Sequence, residues 1–303
     1  MEHFDIIVAG GGPAGLTAAL YAARAGKSVL VLEMDHLGGQ ITYAPLVENY
    51  PGVPGLSGAD FADTLAAQVE ALGAVIEYEQ VVEVRPGTPV TVVSDMGERT
   101  CGALILATGA AHRPLGLPGE EELVGCGVSY CALCDGAFYA GKDVAIVGGG
   151  NSAVQEAIFL SDLCATVTLI HRRDQLRADA ALAKKLGEKA NIRVLYSHKP
   201  AALLQEEDSL TGILLTNAAG EEVALKVDGL FIAVGQVPQS GPFAGLGVCH
   251  ENGFYAAGED GATAIPGIFA AGDGREKAVR QLTTACADGA AAATAACAWL
   301  DTL

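Results

Sequence analysis

The stretch Phe4-Asp5-Ile6-Ile7-Val8-Ala9-Gly10-Gly11-Gly12-Pro13-Ala14-Gly15 places a glycine-rich turn directly after a short apolar run. An alanine-rich segment from Ala14 to Ala25 follows, and a second apolar run, Ser28 to Leu32, ends at Glu33. Short apolar runs on both sides of a helical segment are typical of a βαβ unit with buried strands. The sequence therefore predicts two parallel strands joined by a helix that begins at the glycine turn.

The same pattern recurs in the middle of the chain. Its predicted strand, turn, helix and second strand are, in that order, Asp143 to Val147, Gly148 to Gly150, Ser152 to Leu163 and Thr166 to Ile170. Glu33 lies 23 residues after the first glycine of its turn, and His171 lies 23 residues after the first glycine of the second turn. Two βαβ units in matching register are therefore predicted.

The spacing of the glycines is that of a dinucleotide-binding turn. In such a turn the first glycine makes the bend, the second lets the backbone approach a pyrophosphate, and the third lets the helix pack on the strand. The pyrophosphate then lies at a helix N-terminus, where free N–H groups and the helix dipole favour negative charge. One glycine turn is weak evidence because such turns occur without ligands, but two with matching spacing indicate two dinucleotide sites.

The residue that ends each second strand indicates which dinucleotide is bound. The carboxylate of Glu33 can accept hydrogen bonds from a ribose 2′-OH, which suits FAD or NAD. The second unit has His171-Arg172-Arg173 at this position and Arg177 one turn of a predicted helix further on, which predicts the 2′-phosphate of NADP. The alternative is a solvated basic patch at a helix start, which is disfavoured because positive charge there opposes the helix dipole.

Composition excludes several classes of function. The chain has 303 residues, of which 50% are hydrophobic and 39 are glycine, as expected of a two-domain α/β protein. Its formal charge of −18 argues against nucleic acid and anionic membranes as partners. The N-terminal residues do not resemble a signal peptide, and the alanine-rich stretch from Ala285 to Leu300 is predicted to be a packed helix rather than a membrane span. We therefore expect a cytoplasmic protein.

Two further segments predict that one domain is inserted in the other. A strand beginning at Ala103 ends at Ala107-Thr108-Gly109, and the chain resumes this domain near Ile268 to Ala271. The predicted fold is α/β, with two Rossmann-like dinucleotide-binding domains, the second inserted in the first. We expect residues 1–113 and 242–303 to form an FAD-binding domain, and residues 114–241 to form an NADPH-binding domain.

The inserted segment contains Cys131-Ala132-Leu133-Cys134, followed by Asp135. In a reducing compartment a close cysteine pair is catalytic or metal-binding. Cys126, Cys131, Cys134 and Cys164 also follow a spacing of plant-type iron–sulfur proteins. That alternative is disfavoured because Cys164 ends the helix after the second glycine turn, where the repeat requires packing on a strand. A zinc site lacks a second close pair of Cys or His, so no metal site is predicted.

The combination of motifs resembles the low-molecular-weight, bacterial-type thioredoxin reductases over essentially the whole chain. The motifs that carry the resemblance are Gly10 to Gly15, Gly38-Gly39-Gln40, Val47 to Gly52, Ala107 to Ala110, Cys131 to Gly136, Gly148 to Ala153, His171 to Asp174, Ala271-Gly272-Asp273 and Arg280-Gln281. The redox cysteines of larger flavoprotein disulfide reductases follow the first glycine motif, but the segment from Glu33 to Tyr50 contains no cysteine.

The resemblance implies an FAD-dependent enzyme that passes electrons from NADPH through FAD to a Cys131–Cys134 disulfide and on to thioredoxin or a thioredoxin-like protein. It implies that Cys134 lies against the flavin, that Cys131 attacks the partner protein and that Asp135 handles a proton. The implied flavin contacts are Gly10, Gly12, Pro13, Ala14, Gly15, Glu33, Gly39, Gln40, Asn49, Ala107, Thr108, Gly109, Asp273, Arg280 and Gln281. The implied NADPH contacts are Gly148, Gly150, Asn151, Ser152, Ala153, His171, Arg172, Arg173 and Arg177.

The resemblance further implies a homodimer and a rotation of the inserted domain, with hinges near Arg113 to Pro118 and near Pro238 to Pro242. Three questions stay open at this point. The electron donor could be ferredoxin rather than NADPH, although relatives of that kind tend to lose the second glycine motif and the basic cluster. The chain could be a flavin redox sensor without turnover. The acceptor could be thioredoxin, a glutaredoxin-like protein or a peroxiredoxin component.

Overall fold

The computed structural model describes residues 2–44, 46–53 and 55–303. Its strands are β1 (Glu2–Ala9), β2 (Val29–Glu33), β3 (Val75–Tyr78), β4 (Val81–Arg85), β5 (Val90–Ser94), β6 (Gly97–Leu106), β7 (Ala110–His112), β8 (Val128–Ser129), β9 (Asp143–Gly148), β10 (Thr166–His171), β11 (Ile192–Tyr196), β12 (Lys199–Glu206), β13 (Ser209–Thr216), β14 (Glu222–Lys226), β15 (Gly229–Ala233), β16 (Gln236–Pro238) and β17 (Ile268–Ala270). Its α-helices are α1 (Pro13–Arg24), α2 (Gly58–Ala71), α3 (Ala132–Asp135), α4 (Asn151–Ser161), α5 (Ala180–Gly187) and α6 (Leu282–Leu300). Short 3₁₀ helices cover Gly39–Tyr43, Gly136–Tyr139, Gly241–Leu246 and Gly272–Gly274.

The chain divides into two units, Met1–Ala111 with Val237–Leu303, and His112–Gln236. We call them unit 1 and unit 2. Where the chain passes between them, β7 and β16 pair as a two-stranded sheet. Unit 2 is therefore an insertion in the sequence of unit 1.

Unit 1 is built on a sheet with the strand order β3-β2-β1-β6-β5-β4. The pairs β3–β2, β2–β1 and β1–β6 are parallel, whereas β6–β5 and β5–β4 are antiparallel. The long strand β6 pairs with β5 along its first half and with β17, in parallel, along its last residues. The carboxyl ends of β1, β2, β6 and β17 consequently meet at one edge, where ligands bind in sheets of this kind.

The centre of this sheet is buried on both faces. Along β1, Ile6 and Val8 belong to one apolar cluster, while Ile7 belongs to the cluster on the other face. Successive side chains of a strand point to opposite faces, so a strand covered on both sides must be apolar at every position. This explains why the sequence of β1 shows a continuous apolar run rather than an alternating one.

The alanine-rich C-terminal segment is the packed helix α6, as predicted. Its Gly289 lies so close to α1 that a Cβ atom there would come within 2.1 Å of the carbonyl oxygen of Ala14. Small side chains allow this approach of two helix backbones, and larger ones would separate α6 from α1. Across the described residues, no helix is both long enough and apolar enough to span a bilayer.

Unit 2 contains a five-stranded parallel sheet with the order β11-β10-β9-β15-β8. A separate antiparallel sheet has the order β12-β13-β14. Apolar clusters cover the two faces of the parallel sheet, one of them including α4 and the other the side chains of β13. The mixed α/β class and the parallel sheet with helices confirm the predicted fold class.

The two predicted βαβ units are both present and have the same register. In unit 1, Ala9 pairs with Leu32, and in unit 2, Val147 pairs with Ile170, which is an offset of 23 residues in each case. The predicted helix around Arg177 is wrong, because residues 172–179 form bends and coil, and α5 begins only at Ala180. Two hydrogen bonds between Asn151 and Asp179 tie this segment to the N-terminus of α4.

Candidate active site

The first glycine turn lies at the carboxyl edge of the unit 1 sheet. Gly10 has a φ of +111°, and a Cβ there would come within 2.4 Å of the carbonyl oxygen of Ala107. At Gly15 a Cβ would come within 1.8 Å of the carbonyl oxygen of Gly10. Both positions exclude a side chain because the backbones of β1, β6 and α1 meet there. The turn is thus fixed by close backbone packing, as the sequence predicted.

Gly12 serves a different purpose in the same turn. It is the N-cap residue of α1, and a Cβ there would meet only the carbonyl oxygen of Gly38, at 3.9 Å. Space therefore lies open in front of the N-terminus of α1, and a side chain at Gly12 would project into it. The N–H groups of the first helical turn face an anion in such an arrangement. This cradle fits the pyrophosphate of a dinucleotide.

Glu33 lies beside this turn at the end of β2. Its carboxylate is buried and accepts hydrogen bonds from the N–H of Gly11 at 2.6 Å and from the N–H of Asp35 at 3.0 Å. These bonds fix the direction of the carboxylate at the strand end. The remaining lone pairs of its oxygens can accept from a ribose hydroxyl.

The other residues predicted to bind a flavin lie within unit 1, and hydrogen bonds join several of them to neighbours. The N–H of Gly38 donates to the carbonyl oxygen of Gly11, which brings the Gly39–Tyr43 helix with Gln40 to the turn. Asn49 donates its amide to Gln281 at 3.1 Å. The hydroxyl of Thr108 lies 2.7 Å from the hydroxyl of Tyr255, while Gly109 follows at a φ of +66°.

Asp273 and Arg280 lie on the segment that connects β17 to α6. The Arg280 guanidinium donates to the carbonyl oxygens of Asp273 and Arg275, both at 3.1 Å. It also lies over the ring of Phe254, with 4.2 Å between the guanidinium carbon and the ring centroid. The segment is therefore tied to its surroundings through one arginine that hydrogen-bonds the backbone and stacks on an aromatic ring.

A buried charge network supports this segment from α6. Asp288 accepts hydrogen bonds from the Lys277 ammonium at 3.1 Å and the Gly272 N–H at 3.1 Å, and pairs with Arg275 at 2.8 Å. Lys277 also lies 3.1 Å from a carboxylate oxygen of Asp273. Lys277 and Asp288 were not predicted from the sequence, since no local pattern links residues on opposite sides of a turn.

The second glycine turn repeats this geometry in unit 2. Gly150 is the N-cap residue of α4, and a Cβ there would meet no atom within 4 Å. Ala153 replaces the third glycine, and its methyl group faces Gly148. The first turn of α4 is thus also open to an anion, which fits a second pyrophosphate.

His171 ends β10 at the position equivalent to Glu33. Its Nδ1 donates to the carbonyl oxygen of Gly148 at 2.8 Å, and the ring occupies the space that a side chain at Gly149 would need. Nε2 of the same ring is buried and has no hydrogen-bond partner within residues 2–44, 46–53 and 55–303. The ring of His171 therefore packs directly against the second glycine turn.

The arginines that follow His171 lie on a loop held against the N-terminus of α4. Asn151 and Asp179 make two reciprocal hydrogen bonds. The Asn151 amide donates to the Asp179 carboxylate at 2.9 Å, and the Asp179 backbone N–H donates to the Asn151 amide oxygen at 2.8 Å. The N–H of Arg177 donates to the carbonyl oxygen of Gly149 at 2.7 Å. Arg172 and Arg173 lie on the same loop, directly after His171, whose ring contacts the second glycine turn.

The three arginine side chains of this loop are exposed. In the portion of the chain that the structure describes, none of them forms an ion pair with a carboxylate, although the chain carries a net charge of −18. Ser152 lies exposed at the start of α4 in the same region. Unpaired guanidinium groups beside an open helix N-terminus fit a ligand with an additional phosphate.

Cys131 and Cys134 are joined by a disulfide, with 5.3 Å between their Cα atoms. Cys131 is the N-cap residue of α3, and its Sγ accepts a hydrogen bond from the N–H of Cys134 at 3.2 Å. Cys134 is exposed and Cys131 is half-buried. A backbone N–H aimed at Sγ favours the thiolate of Cys131 once the disulfide opens.

Asp135 follows the disulfide and is half-buried in unit 2. Burial raises the pKa of its carboxyl, and a hydrogen bond from Ser129 opposes this by lowering it. The Ser129 hydroxyl donates to Oδ2 of Asp135 at 2.6 Å and accepts the N–H of Cys131 at 3.0 Å. Ser129 was not predicted from the sequence, although a serine hydroxyl that accepts the N–H two residues further on is a known local pattern.

The buried carboxylate of Glu120 adjoins the redox segment. Glu120 accepts the N–H groups of three successive residues, Leu115, Gly116 and Leu117, at 2.9, 2.8 and 3.1 Å. It also accepts the hydroxyl of Tyr130, the neighbour of Cys131, at 2.7 Å. The loop after β7 and the redox segment are therefore held by one side chain, which no sequence motif identifies.

The cysteines do not form the iron–sulfur arrangement that their spacing allowed. Cys131 and Cys134 bond to each other, Cys126 is exposed, and Cys164 is buried in the apolar cluster around α4. Within the described ranges, no three His, Cys, Asp or Glu side chains are grouped so that they could hold a metal ion.

Comparisons with known proteins place these features in a family context. The family model for pyridine nucleotide-disulphide oxidoreductases matches residues 4–289. The thioredoxin reductase of Bacillus subtilis (strain 168) is 40% identical over 96% of this chain and 92% of that protein. That of Coxiella burnetii is 42% identical over 100% of this chain and 98% of that protein. The crystal structure of thioredoxin reductase from Streptococcus pyogenes superposes with a TM-score of 0.94 at 38% identity, covering 99% of each chain.

Proposed function

Because the chain belongs to the pyridine nucleotide-disulphide oxidoreductase family, we propose that it is a thioredoxin reductase that uses NADPH and FAD. The observation that carries the proposal is the Cys131–Cys134 disulfide, which lies in the same unit as the glycine turn with the arginine loop. That combination provides a redox centre and a site for a phosphorylated dinucleotide. The relatives at 40% and 42% identity are named thioredoxin reductases, which supports thioredoxin as the acceptor.

We assign FAD to unit 1. The open N-terminus of α1 at Gly12 would receive the pyrophosphate, and Glu33 would accept a ribose hydroxyl. Asp273 and Gln281, held by the network around α6, would contact the rest of the cofactor. Bound there, FAD would supply the two-electron chemistry, taking a hydride from NADPH and passing the electron pair to a disulfide.

We assign NADPH to unit 2. The N-terminus of α4 would receive its pyrophosphate, and the guanidinium groups of Arg172, Arg173 and Arg177 would bind the 2′-phosphate. The reciprocal hydrogen bonds between Asn151 and Asp179 hold the arginine loop at that helix terminus. This loop distinguishes NADPH from NADH because only NADPH carries the phosphate.

The dithiol then reduces the partner by disulfide exchange. After the Cys131–Cys134 bond has accepted two electrons, the Cys131 thiolate attacks a sulfur of the thioredoxin disulfide, whose S–S bond breaks as a mixed disulfide forms. Cys134 attacks the mixed disulfide, so the Cys131–Cys134 bond forms again and the second thioredoxin sulfur leaves. The N–H of Cys134, directed at Sγ of Cys131, stabilises the attacking thiolate.

The reaction also needs two protons for the two thioredoxin thiols. The hydride of NADPH supplies two electrons and one proton, and the second proton comes from solvent. Asp135 lies beside the disulfide with a pKa raised by burial, so its carboxyl can hold a proton and deliver it to a leaving thiolate. Its Oδ2 accepts from Ser129, which leaves Oδ1 as the oxygen that carries the proton.

Two features of the proposal rest on the family resemblance. The protein is expected to act as a homodimer and to work in the cytoplasm. Size-exclusion chromatography with light scattering tests the dimer, and fractionation of the source cells tests the location.

Anaerobic titration with NADPH, followed by absorbance, tests the proposed function. The flavin spectrum should bleach with NADPH and respond weakly to NADH, and the native protein should take up one more equivalent than Cys134→Ser. Purified thioredoxin should then be reduced at the expense of NADPH. A flavin that stays oxidised with NADPH but is reduced by ferredoxin would overturn the donor assignment. A flavin that is reduced without any disulfide turnover would instead indicate a redox sensor.

A further inference from the structure

Ser129 lies outside the cysteine motif and hydrogen-bonds both to Cys131 and to Asp135. The side chain lies at the end of β8 and is buried, with an exposed fraction of 3%. Its hydroxyl donates to Oδ2 of Asp135 and accepts the N–H of Cys131, at 2.6 and 3.0 Å. One hydroxyl group thus connects the proposed proton donor to the backbone of the proposed nucleophile.

The buried Ser94 of unit 1 also donates to a carboxylate, that of Glu79, and accepts the N–H of Met96, but neither partner belongs to the redox segment. Ser161 is buried to a similar degree in unit 2, but its hydroxyl donates to the carbonyl oxygen of Ile158 within its own helix. Such a bond satisfies a polar group locally and contacts no reacting atom. Ser161 is therefore a matched control for the loss of a buried serine hydroxyl.

We propose that Ser129 is a positioning residue of the disulfide exchange, which orients the Asp135 carboxyl and links it to Cys131. The proposal rests on the proposed function, because it assigns Ser129 a part in the same proton transfer. The hydroxyl donates to Oδ2, which leaves Oδ1 to carry the proton. It also fixes the backbone of Cys131 relative to that carboxyl.

The hydrogen bond from Ser129 shifts the pKa of Asp135 in a direction that can be tested. It lowers the pKa of Asp135, while burial raises it. Removal of the hydroxyl should therefore raise the pKa further and extend the protonated form of Asp135 to higher pH. The alkaline limb of the pH–rate profile reports loss of the acid, so it should move to higher pH in Ser129→Ala.

Other titratable groups lie on the elements next to Asp135, and their effects on the pH profile must be distinguished from that of the Asp135 carboxyl. On the 3₁₀ helix after α3, the pKa of Tyr139 is raised to about 12 by burial, with further contributions from Asp135 and Cys126. On α4, which packs against α3, burial raises the pKa of Glu156 to about 7. The measurements are therefore repeated in a Glu156→Gln background, where a limb due to Glu156 disappears and one due to Asp135 remains.

The experiment compares wild type, Ser129→Ala, Ser129→Thr and Ser161→Ala. With NADPH and thioredoxin, kcat in Ser129→Ala should fall about tenfold, a fraction of what a positioned acid contributes. Its alkaline limb should move to higher pH. Ser129→Thr keeps the hydroxyl and should restore both values, and Ser161→Ala should match wild type in both.

A second measurement does not depend on NADPH. The protein is reduced with dithiothreitol, and the rate of thiol alkylation by iodoacetamide is followed against pH, where titration of Asp135 should perturb the nearby thiols. If Ser129→Ala does not fold, the isosteric pair Ser129→Thr and Ser129→Val makes the same comparison.

The two proposals can fail separately. If wild type does not reduce thioredoxin but the alkylation profile differs between Ser129→Thr and the variant lacking a hydroxyl, the proposed function fails and the link between Ser129 and Asp135 stands. If alkylation and rate profiles of Ser129→Ala coincide with those of wild type, Ser129 is not a positioning residue. A Thr variant as impaired as the Ala variant would overturn the proposal too.

Discussion

The two glycine turns share a backbone plan but differ in the residue that ends the second strand. Glu33 accepts a hydrogen bond from the N–H of Gly11, whereas His171 donates one to the carbonyl oxygen of Gly148. The polarity at the strand end is therefore reversed within the same register. One βαβ plan can thus serve two dinucleotides, because the backbone supplies the pyrophosphate site and the strand end supplies the discrimination.

The turns also differ in how closely the helix approaches the strand. Gly15 in unit 1 corresponds to Ala153 in unit 2, and only the first lies against a backbone carbonyl oxygen at a distance that excludes a methyl group. The helices differ again eight residues after the first glycine, where α1 has the fully buried Ala18 and α4 has Glu156. Each difference can be tested by changing one unit and keeping the other as control.

The largest effect is expected from Gly15→Ala. The added methyl group would lie 1.8 Å from the carbonyl oxygen of Gly10, and no rotamer change can relieve a clash between backbone and Cβ. We expect a loss of about 3 kcal/mol in the free energy of unfolding, together with loss of bound flavin. Denaturant unfolding and the flavin content of the purified protein measure the two effects.

The reverse substitution in unit 2 is the control. Ala153→Gly should lower the free energy of unfolding by only about 0.5–1 kcal/mol, because glycine gives the unfolded chain more backbone entropy and creates no clash in the folded one. It should also leave flavin binding unchanged. Equal losses in the two variants would contradict a specific backbone clash at Gly15.

Removal of the arginines tests the discrimination in unit 2. A charged hydrogen bond contributes about 1.5–3 kcal/mol, so Arg172→Ala and Arg173→Ala should each raise the KM for NADPH by about 10- to 100-fold. The KM for NADH should not change, and Arg193→Ala, which removes another exposed arginine of unit 2, should leave both constants unchanged. A parallel loss of NADPH and NADH would place the arginines elsewhere than at the 2′-phosphate.

The buried Glu156 of α4 should make the free energy of unfolding depend on pH, whereas the equivalent Ala18 of α1 has no titratable group. Burial raises its pKa from 4.5 to about 7 in the folded protein, and Oε2 is buried without a hydrogen-bond partner among the described residues. Between these pH values the unfolded chain has lost the proton and the folded chain keeps it, so stability falls as pH rises from about 4.5 to about 7 and is then level. Glu156→Gln should remove this slope and stabilise the protein by about 2 kcal/mol at pH 8. Urea unfolding at pH 5 and pH 8 measures the difference, and an unchanged slope would contradict the raised pKa.

The smallest effect is expected from Glu33→Gln. The glutamine oxygen can still accept from Gly11, so the turn should persist, but the charge that favours a ribose hydroxyl is lost. We expect FAD affinity to fall by about 1 kcal/mol, or about fivefold in Kd, with no change for NADPH. Fluorescence titration of the apoprotein with FAD checks the first value. Weaker NADPH binding would show that the two sites are not separated as proposed.

Local patterns predicted those parts of the site that depend on neighbours in sequence. The strand–turn–helix order and the 23-residue spacing are properties of a short segment, and both were predicted correctly. The prediction of a helix around Arg177 was wrong because the local sequence does not reveal that Asp179 hydrogen-bonds to Asn151, which lies 28 residues earlier. A contact between distant segments there overrides the local preference.

The same limit explains the residues that were missed. Asp288 reaches the Gly272 N–H from the middle of α6, and Glu120 reaches Tyr130 across the start of unit 2. Neither pair has a spacing that a helix or strand period would reveal. Charge and burial mark these residues only when the packing of the chain is known.

The sequence alone determined where the backbone can bend and approach a phosphate, since glycine at a fixed spacing removes the Cβ that would prevent it. It also determined which strand ends carry an acid and which carry a cluster of cations. The tertiary structure decided which polar groups are satisfied by one another and which face open space. It alone placed Ser129 between Asp135 and Cys131, because burial and hydrogen-bond direction depend on segments that meet only after folding.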